Sequence, residues 1–201
     1  MIIVATLISE NYSRKAVDLC DMVELRLDML DKDMVEGFIT AKSKKIIVTC
    51  RRKEDGGAFS GNEEKRLELL KNYVRHADLI DLEYDVRDEY FKMGRTIESF
   101  HSWRNPGYSF LKDLVEGKRG DIFKIAIYGK SNDDLKVIKK LHAEYDDIIA
   151  FLMGRDFSYT RILSALLSNP IIYCHTGIEA AEGQISVENA FEIRRLIGKL
   201  S

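Results

Sequence analysis

Proline is almost absent from this chain, with 2 among 201 residues, and no low-complexity stretch accompanies them. Nothing therefore reads as a linker, and a single domain over 1–201 is expected. Cysteine is scarce too. Cys20, Cys50 and Cys174 are odd in number and widely spaced, which argues against a disulfide framework and supplies no metal-ligand pair. Cys50 and Cys174 sit in apolar runs, where cysteine behaves as a small hydrophobe. No charge of one sign dominates. There are 31 basic and 33 acidic residues, net −2, which gives no footing for a nucleic-acid-binding protein. A run of ~20 apolar residues, as a membrane span requires, is missing. Met1 to Leu7 reads as a short apolar strand with no basic leader, so a cytoplasmic protein without a membrane partner is expected. No glycine follows that strand in Leu7-Ile8-Ser9-Glu10-Asn11, which disfavours a nucleotide-binding open sheet.

What the chain does have is apolar content, 45%, in a regular rhythm. Short β-type runs begin near Ile2, Val23, Lys45, Leu79, Thr96, Ile122, Ile148 and Ile171. Helical patterns fill the gaps: Asn11–Cys20, Lys32–Lys42, Glu63–His76, Val86–Lys92, Tyr108–Glu116, Asn132–Glu144, Tyr159–Leu167 and Val187–Lys199. Ser131, three before Asp134, and Ser186, ahead of a regular apolar pattern, read as helix starts. Eight strands alternating with eight helices predict a compact (β/α)8 barrel of the TIM type. The helix at Val86–Lys92 is expected to be barely two turns long.

In a parallel barrel, function collects at the carboxyl ends of the strands. The second run, Val23-Glu24-Leu25-Arg26-Leu27-Asp28, alternates, so period two places Glu24, Arg26 and Asp28 on one face. Helices cover the outside of a barrel, so that face must point inward and find partners there. The third run ends in Thr49-Cys50-Arg51, followed by a polar loop over 52–62 with Gly56-Gly57, long enough for a lid. Asp81-Leu82-Glu83 puts two more carboxylates on one face. The fifth run ends in Ser99-Phe100-His101, and the sixth carries Lys124 in Asp-Ile-Phe-Lys-Ile-Ala-Ile. Burial lowers a lysine's pKa, and the neutral amine is a nucleophile suited to imine formation with a ketone or aldehyde. The alternative is a strand lysine whose stem packs while its head reaches water. His101 tips the balance, because consecutive strands are neighbours and the two side chains can meet in the barrel mouth. His76 and His142 read as surface residues, and His175 is given no role.

The ordered set Glu24-x-Arg26-x-Asp28, Thr49-x-Arg51 before Gly-Gly, Asp81-x-Glu83, Ser99-Phe100-His101, Phe123-Lys124-Ile125-Ala126 and Ala181-x-Gly183-Gln184-Ile185-Ser186 resembles type I 3-dehydroquinate dehydratases. Each motif is short, and the specificity lies in their order and spacing from the first strand to the last helix. The resemblance implies a (β/α)8-barrel hydro-lyase of the shikimate pathway, serving aromatic amino-acid biosynthesis. It would convert 3-dehydroquinate to 3-dehydroshikimate by syn loss of water, with no metal and no organic cofactor. Lys124 would form the Schiff base and His101 would move protons. Glu24, also placed by the resemblance near His101, and Glu83 are the candidate carboxylates beside the buried iminium. Thr6, Glu24, Arg26, Arg51, Arg161 and Gln184 would bind substrate, Arg161 through a two-pronged grip on its carboxylate. Family members often pair, so the resemblance admits a homodimer.

Two departures stand out. Family members often read Ser-Ala-Pro-Gly-Gln where this chain reads Ala180-Ala181-Glu182-Gly183-Gln184. The lost hydroxyl and proline predict a more mobile lid or weaker substrate binding. His101 is followed by Ser102-Trp103 where Asp-Phe is common. The rival enzyme reading is a class I aldolase or transaldolase, whose phosphorylated substrates want a backbone phosphate cradle that the loops after Met153 and Thr176 do not clearly provide. A non-catalytic barrel sensing a small acid is the rival of another class. A sensor would not need His101 and Lys124 together.

Overall fold

The β-branched, apolar runs all form strands in the computed structural model, which describes residues 1–199. They are β1 (Ile2–Leu7), β2 (Met22–Arg26), β3 (Lys45–Thr49), β4 (Leu79–Glu83), β5 (Thr96–Ser102), β6 (Ile122–Tyr128), β7 (Ile148–Met153) and β8 (Ile171–His175). All recorded pairings are parallel, in the order β7-β6-β5-β4-β3-β2-β1-β8, which curls the sheet into a nearly closed barrel. Near the seam between β7 and β8, Asn169 N–H donates to Ile148 C=O at the bottom, and Gly154 N–H donates to Glu182 C=O at the top. Among the described residues no helix is long and apolar enough to cross a membrane.

Among the described residues seven α-helices cover the outside: α1 (Arg14–Leu19), α2 (Lys32–Ala41), α3 (Glu63–Tyr73), α4 (Tyr108–Glu116), α5 (Asn132–Glu144), α6 (Tyr159–Leu167) and α7 (Val187–Ile197). The expected helix between β4 and β5 is instead a 3-10 segment, Asp88–Lys92, whose Tyr90 and Phe91 are buried in the outer core. The start signals work as expected. Ser186 accepts from Asn189 N–H at 3.1 Å, and Asp134 reaches back to the N–H groups of Lys130 and Ser131 at 2.8 and 2.9 Å.

The inward face explains where the site must be. Val4, Met22, Ile47, Leu79, Ile97, Ile122, Ile149 and Ile171, one from each strand, form an apolar plug in the lower barrel. Two residues further along each strand the same face carries Thr6, Glu24, Thr49, Asp81, Ser99, Lys124, Phe151 and Tyr173. The plug keeps water out from below, and the polar layer above it opens toward the carboxyl ends. Outward-facing residues such as Leu25, Val48, Phe123 and Ile125 pack under the helices.

His142 is not the surface residue expected. It lies on the inner face of α5, one turn from Ile138, with its ring nitrogens 2.7 Å from Ser168 Oγ and 2.8 Å from Ala150 O. His175 closes β8 and accepts from Gly177 N–H through Nδ1 at 3.2 Å. His76 is exposed, as read.

Candidate active site

The polar layer opens upward into a cavity of about 360 Å³ at the carboxyl ends of the strands. Thr6, Glu24, Arg26, Arg51, His101, Lys124, Arg161 and Gln184 all line it, whereas Glu83, the other candidate carboxylate, does not. Phe151, Met153, Tyr173 and Ala126 supply apolar wall.

Lys124 sits at the level of Ser99 on the neighbouring strand, and His101 pairs one step higher with Ala126. Both are buried. Burial lowers the Lys124 amine below the ordinary lysine range, although the Asp81 carboxylate pulls the other way. Burial likewise drives the His101 imidazole well below its usual value, helped by Arg51 and Lys124, so it stands neutral near pH 7. Its Nδ1 has no hydrogen-bond partner among the described residues.

The carboxylate against the lysine amine is Asp81, not Glu24 or Glu83. Burial pushes Asp81 up, but Arg51 and Lys124 outweigh it and hold the carboxyl well below the usual range. Arg51 lies on Asp81 at 2.7 Å and on Glu83 at 3.0 Å, while Ser99 Oγ donates to Asp81 and accepts from Arg51, each at 2.7 Å. Glu24 accepts from the hydroxyls of Thr6 and Thr49, both at 2.8 Å. Arg26 is held by Asp28 through two bonds of 2.9 and 2.7 Å, and Asp28 also accepts from the N–H groups of Arg51 and Ala58.

Arg26 and Arg51 therefore already have carboxylate partners. Arg161 does not. It projects from α6 into the cavity, over the Phe151 ring at 4.2 Å, with its Nε unpartnered and only a 3.5 Å contact to Glu182 C=O. Burial drops it to about 10, against a smaller opposing pull from Cys174 and Glu179. A buried guanidinium without a counter-ion marks where an anion fits.

The loop after β8 forms the roof. Gln184 donates to Thr6 Oγ1 at 3.1 Å and accepts from Ala180 N–H at 2.9 Å, joining the loop to the barrel floor. Gly183, at φ +77°, presses so closely on the Gly154 carbonyl that a Cβ would lie 2.4 Å from that oxygen. Glu182, where the resembled family often has proline, accepts from the Tyr128 hydroxyl at 3.1 Å. Across the mouth, Trp103 lies over Gly56 of the 52–62 loop and 6.2 Å from the Tyr128 ring.

Sequence reasoning left out the wall residues Tyr173, Phe151 and Tyr128 and did not assign Asp81 to the lysine. The period-two pattern places Asp81 on the inward face, but the stagger between strands decides which inward carboxylate reaches Lys124.

The fold and this cavity define a (β/α)8 barrel whose mouth gathers a buried lysine and a neutral histidine. A family model for type I 3-dehydroquinase matches residues 5–201. The 3-dehydroquinate dehydratase of Archaeoglobus fulgidus is 45% identical over 203 residues, covering 98% of this chain and 100% of its own. That of Methanopyrus kandleri is 31% identical over 189 residues, covering 89% and 88%. Among solved structures, the 3-dehydroquinate dehydratase of Aquifex aeolicus superposes with a TM-score of 0.82 at 24% identity, covering 97% of this chain and 98% of that one. The Geobacillus kaustophilus protein gives 0.83 at 22%, covering 100% and 92%, and both bear on the fold alone. The chain belongs to the type I 3-dehydroquinase family, a family of hydro-lyases.

Proposed function

We propose that this chain dehydrates 3-dehydroquinate to 3-dehydroshikimate through an imine on Lys124, with His101 moving the protons. The observation that carries the reading is the convergence in one cavity of a buried lysine, a neutral histidine and an arginine without a counter-ion. The neutral amine of Lys124 attacks the C3 carbonyl carbon, and the carbonyl oxygen leaves as water to give a protonated imine. That imine is an electron sink. His101 removes a proton from C2, and the electron pair enters an enamine. The pair then returns to expel the C1 hydroxyl, which leaves as water with the proton His101 carries. Hydrolysis of the imine frees the product and restores the amine, so the net change is loss of one water.

Asp81 faces the iminium and stabilises its buried charge, with Glu24 as a second anion tied down by Thr6 and Thr49. Arg161 takes the substrate carboxylate, the only anionic group on 3-dehydroquinate, and gains the partner it lacks. Arg26 and Arg51, whose forks are already engaged, add positive potential. Gln184 turns from Thr6 to substrate hydroxyls once the roof closes. The protein acts on a small molecule, as a cytoplasmic step in aromatic amino-acid biosynthesis.

The test is to mix the protein with 3-dehydroquinate and borohydride and map the adduct by mass spectrometry. A stable adduct on Lys124, with enone absorbance in the unreduced sample, is expected. Absence of both would overturn the reading. Substituting His101 by Asn should abolish turnover while slow adduct formation persists, whereas a ligand sensor would keep its full response without either residue.

A further inference from the structure

Arg66 lies outside the cavity, on a helix whose sequence, Glu63-Glu64-Lys65-Arg66, reads as a solvated face. It is nevertheless completely buried and stands among the largest fully buried side chains. Its guanidinium turns inward from α3. Nη1 lies 2.6 Å from Glu83 Oε2 and donates to the Cys50 carbonyl at 2.8 Å. Nε and Nη2 grip the half-exposed Glu63 at 2.8 and 2.6 Å. Glu83, also buried, gives its other oxygen to Arg51 at 3.0 Å. Arg51 in turn holds Asp81, which faces Lys124.

An unbroken chain of alternating charges thus runs Arg66, Glu83, Arg51, Asp81, Lys124, with little or no water access along it. A buried ion pair often adds nothing to stability that an apolar pair would not, so the charges at Arg66 and Glu83 call for another explanation. We propose that Arg66 is a positioning residue for the lysine: by pairing with the Glu83 charge it keeps Arg51 on Asp81, and so sets the charge that faces the Lys124 amine. The inference rests on the reading of Lys124 as the imine-forming nucleophile.

Buried charges at this spacing act on one another through a poor dielectric. Removing Arg66 alone leaves Glu83 as an excess anion, which favours protonated Lys124. The amine must be neutral to attack, so the acidic limb of the rate should move to higher pH. Removing the Glu83 charge alone should move it to lower pH, and removing both should bring it back.

The experiment measures kcat/KM and the rate of borohydride trapping against pH for the wild type, R66M, E83Q and R66M/E83Q, with Tm for each. R66M is expected to raise the limb by about one pH unit, a roughly tenfold loss of neutral amine on the acid side. E83Q should lower it, and the double variant should return near wild type. Where R66M fails to fold, E83Q and R66M/E83Q differ only at Arg66 and lack the stranded anion, so their comparison carries the same sign. A limb that is unmoved or moves down in R66M while Tm falls, or the same limb in the two E83Q proteins, would make Arg66 a mere clamp for α3 and overturn the proposal. A wild type that forms no adduct would instead overturn the lysine reading itself, which separates the two failures.

Discussion

Replacing Arg161 with methionine should make the ligand-free protein more stable and nearly inactive. In the folded chain this guanidinium is buried, has no acidic partner in contact among the described residues, and lies at about 10 against its usual 12.5. A group whose cationic form is disfavoured by folding charges the fold a penalty at every pH below its folded value, neutral pH included. At 1.36 kcal/mol for each pH unit, that penalty is roughly 3 kcal/mol. Against it stands the contact of the cation with the Phe151 ring at 4.2 Å, worth up to about 2 kcal/mol where water is excluded. Methionine keeps much of the packing and adds its own ring contact. The net gain is then about 1–2 kcal/mol, a rise in Tm of roughly 3–6 °C for a chain of this size. Catalysis should move the other way. Losing a buried pair with the substrate carboxylate costs about 2–5 kcal/mol, so kcat/KM should fall at least ~30-fold. Thermal unfolding of both ligand-free proteins, steady-state kinetics, and the rise in Tm on adding product supply the three readings. A variant that melts lower than wild type and keeps its KM would refute the argument, because Arg161 would then be a structural cation satisfied by its surroundings.

Two further outcomes are expected. Ala180 lines the cavity in the roof loop, so A180S should add a hydroxyl that lowers KM a few-fold, consistent with about 1 kcal/mol for one hydrogen bond; an unchanged KM would dissociate the missing serine from substrate affinity. His142 is held below its usual value by burial, so the unfolded chain takes up a proton before the folded one does. Its stability contribution is present above the unfolded value near 6.5 and is lost as pH falls through the folded value. H142Q should therefore narrow the drop in Tm between pH 7 and pH 5, and an equal drop in both proteins would exclude His142 from the acid response.

The barrel was legible because its cause is local. Runs such as Ile148–Met153 and the alternation of Val23 to Asp28 announce strands and their inward faces, and neighbouring strands put His101 and Lys124 within reach of each other. What stayed hidden depends on how the strands are staggered and which helix face is covered. Asp81 and Glu83 share a face in the sequence, but only the three-dimensional register sends the first to Lys124 and the second to Arg51 and Arg66. Arg66 and His142 sit in charge-rich helices whose inner and outer residues look alike on paper. The segment at Val86–Lys92 had helical composition, yet the short path from β4 to β5 leaves room only for a 3-10 turn.

Trp103 gives the protein an optical handle of its own. It is the single tryptophan of the chain, half exposed at the rim, with Gly56 beneath it and the Tyr128 ring 6.2 Å away. All intrinsic indole emission therefore originates at the entrance to the cavity. Occupation of the cavity or displacement of the 52–62 loop changes the water around that one ring, so intensity and wavelength follow ligand arrival in real time. No dye, label or engineered fluorophore is needed to time entry separately from turnover.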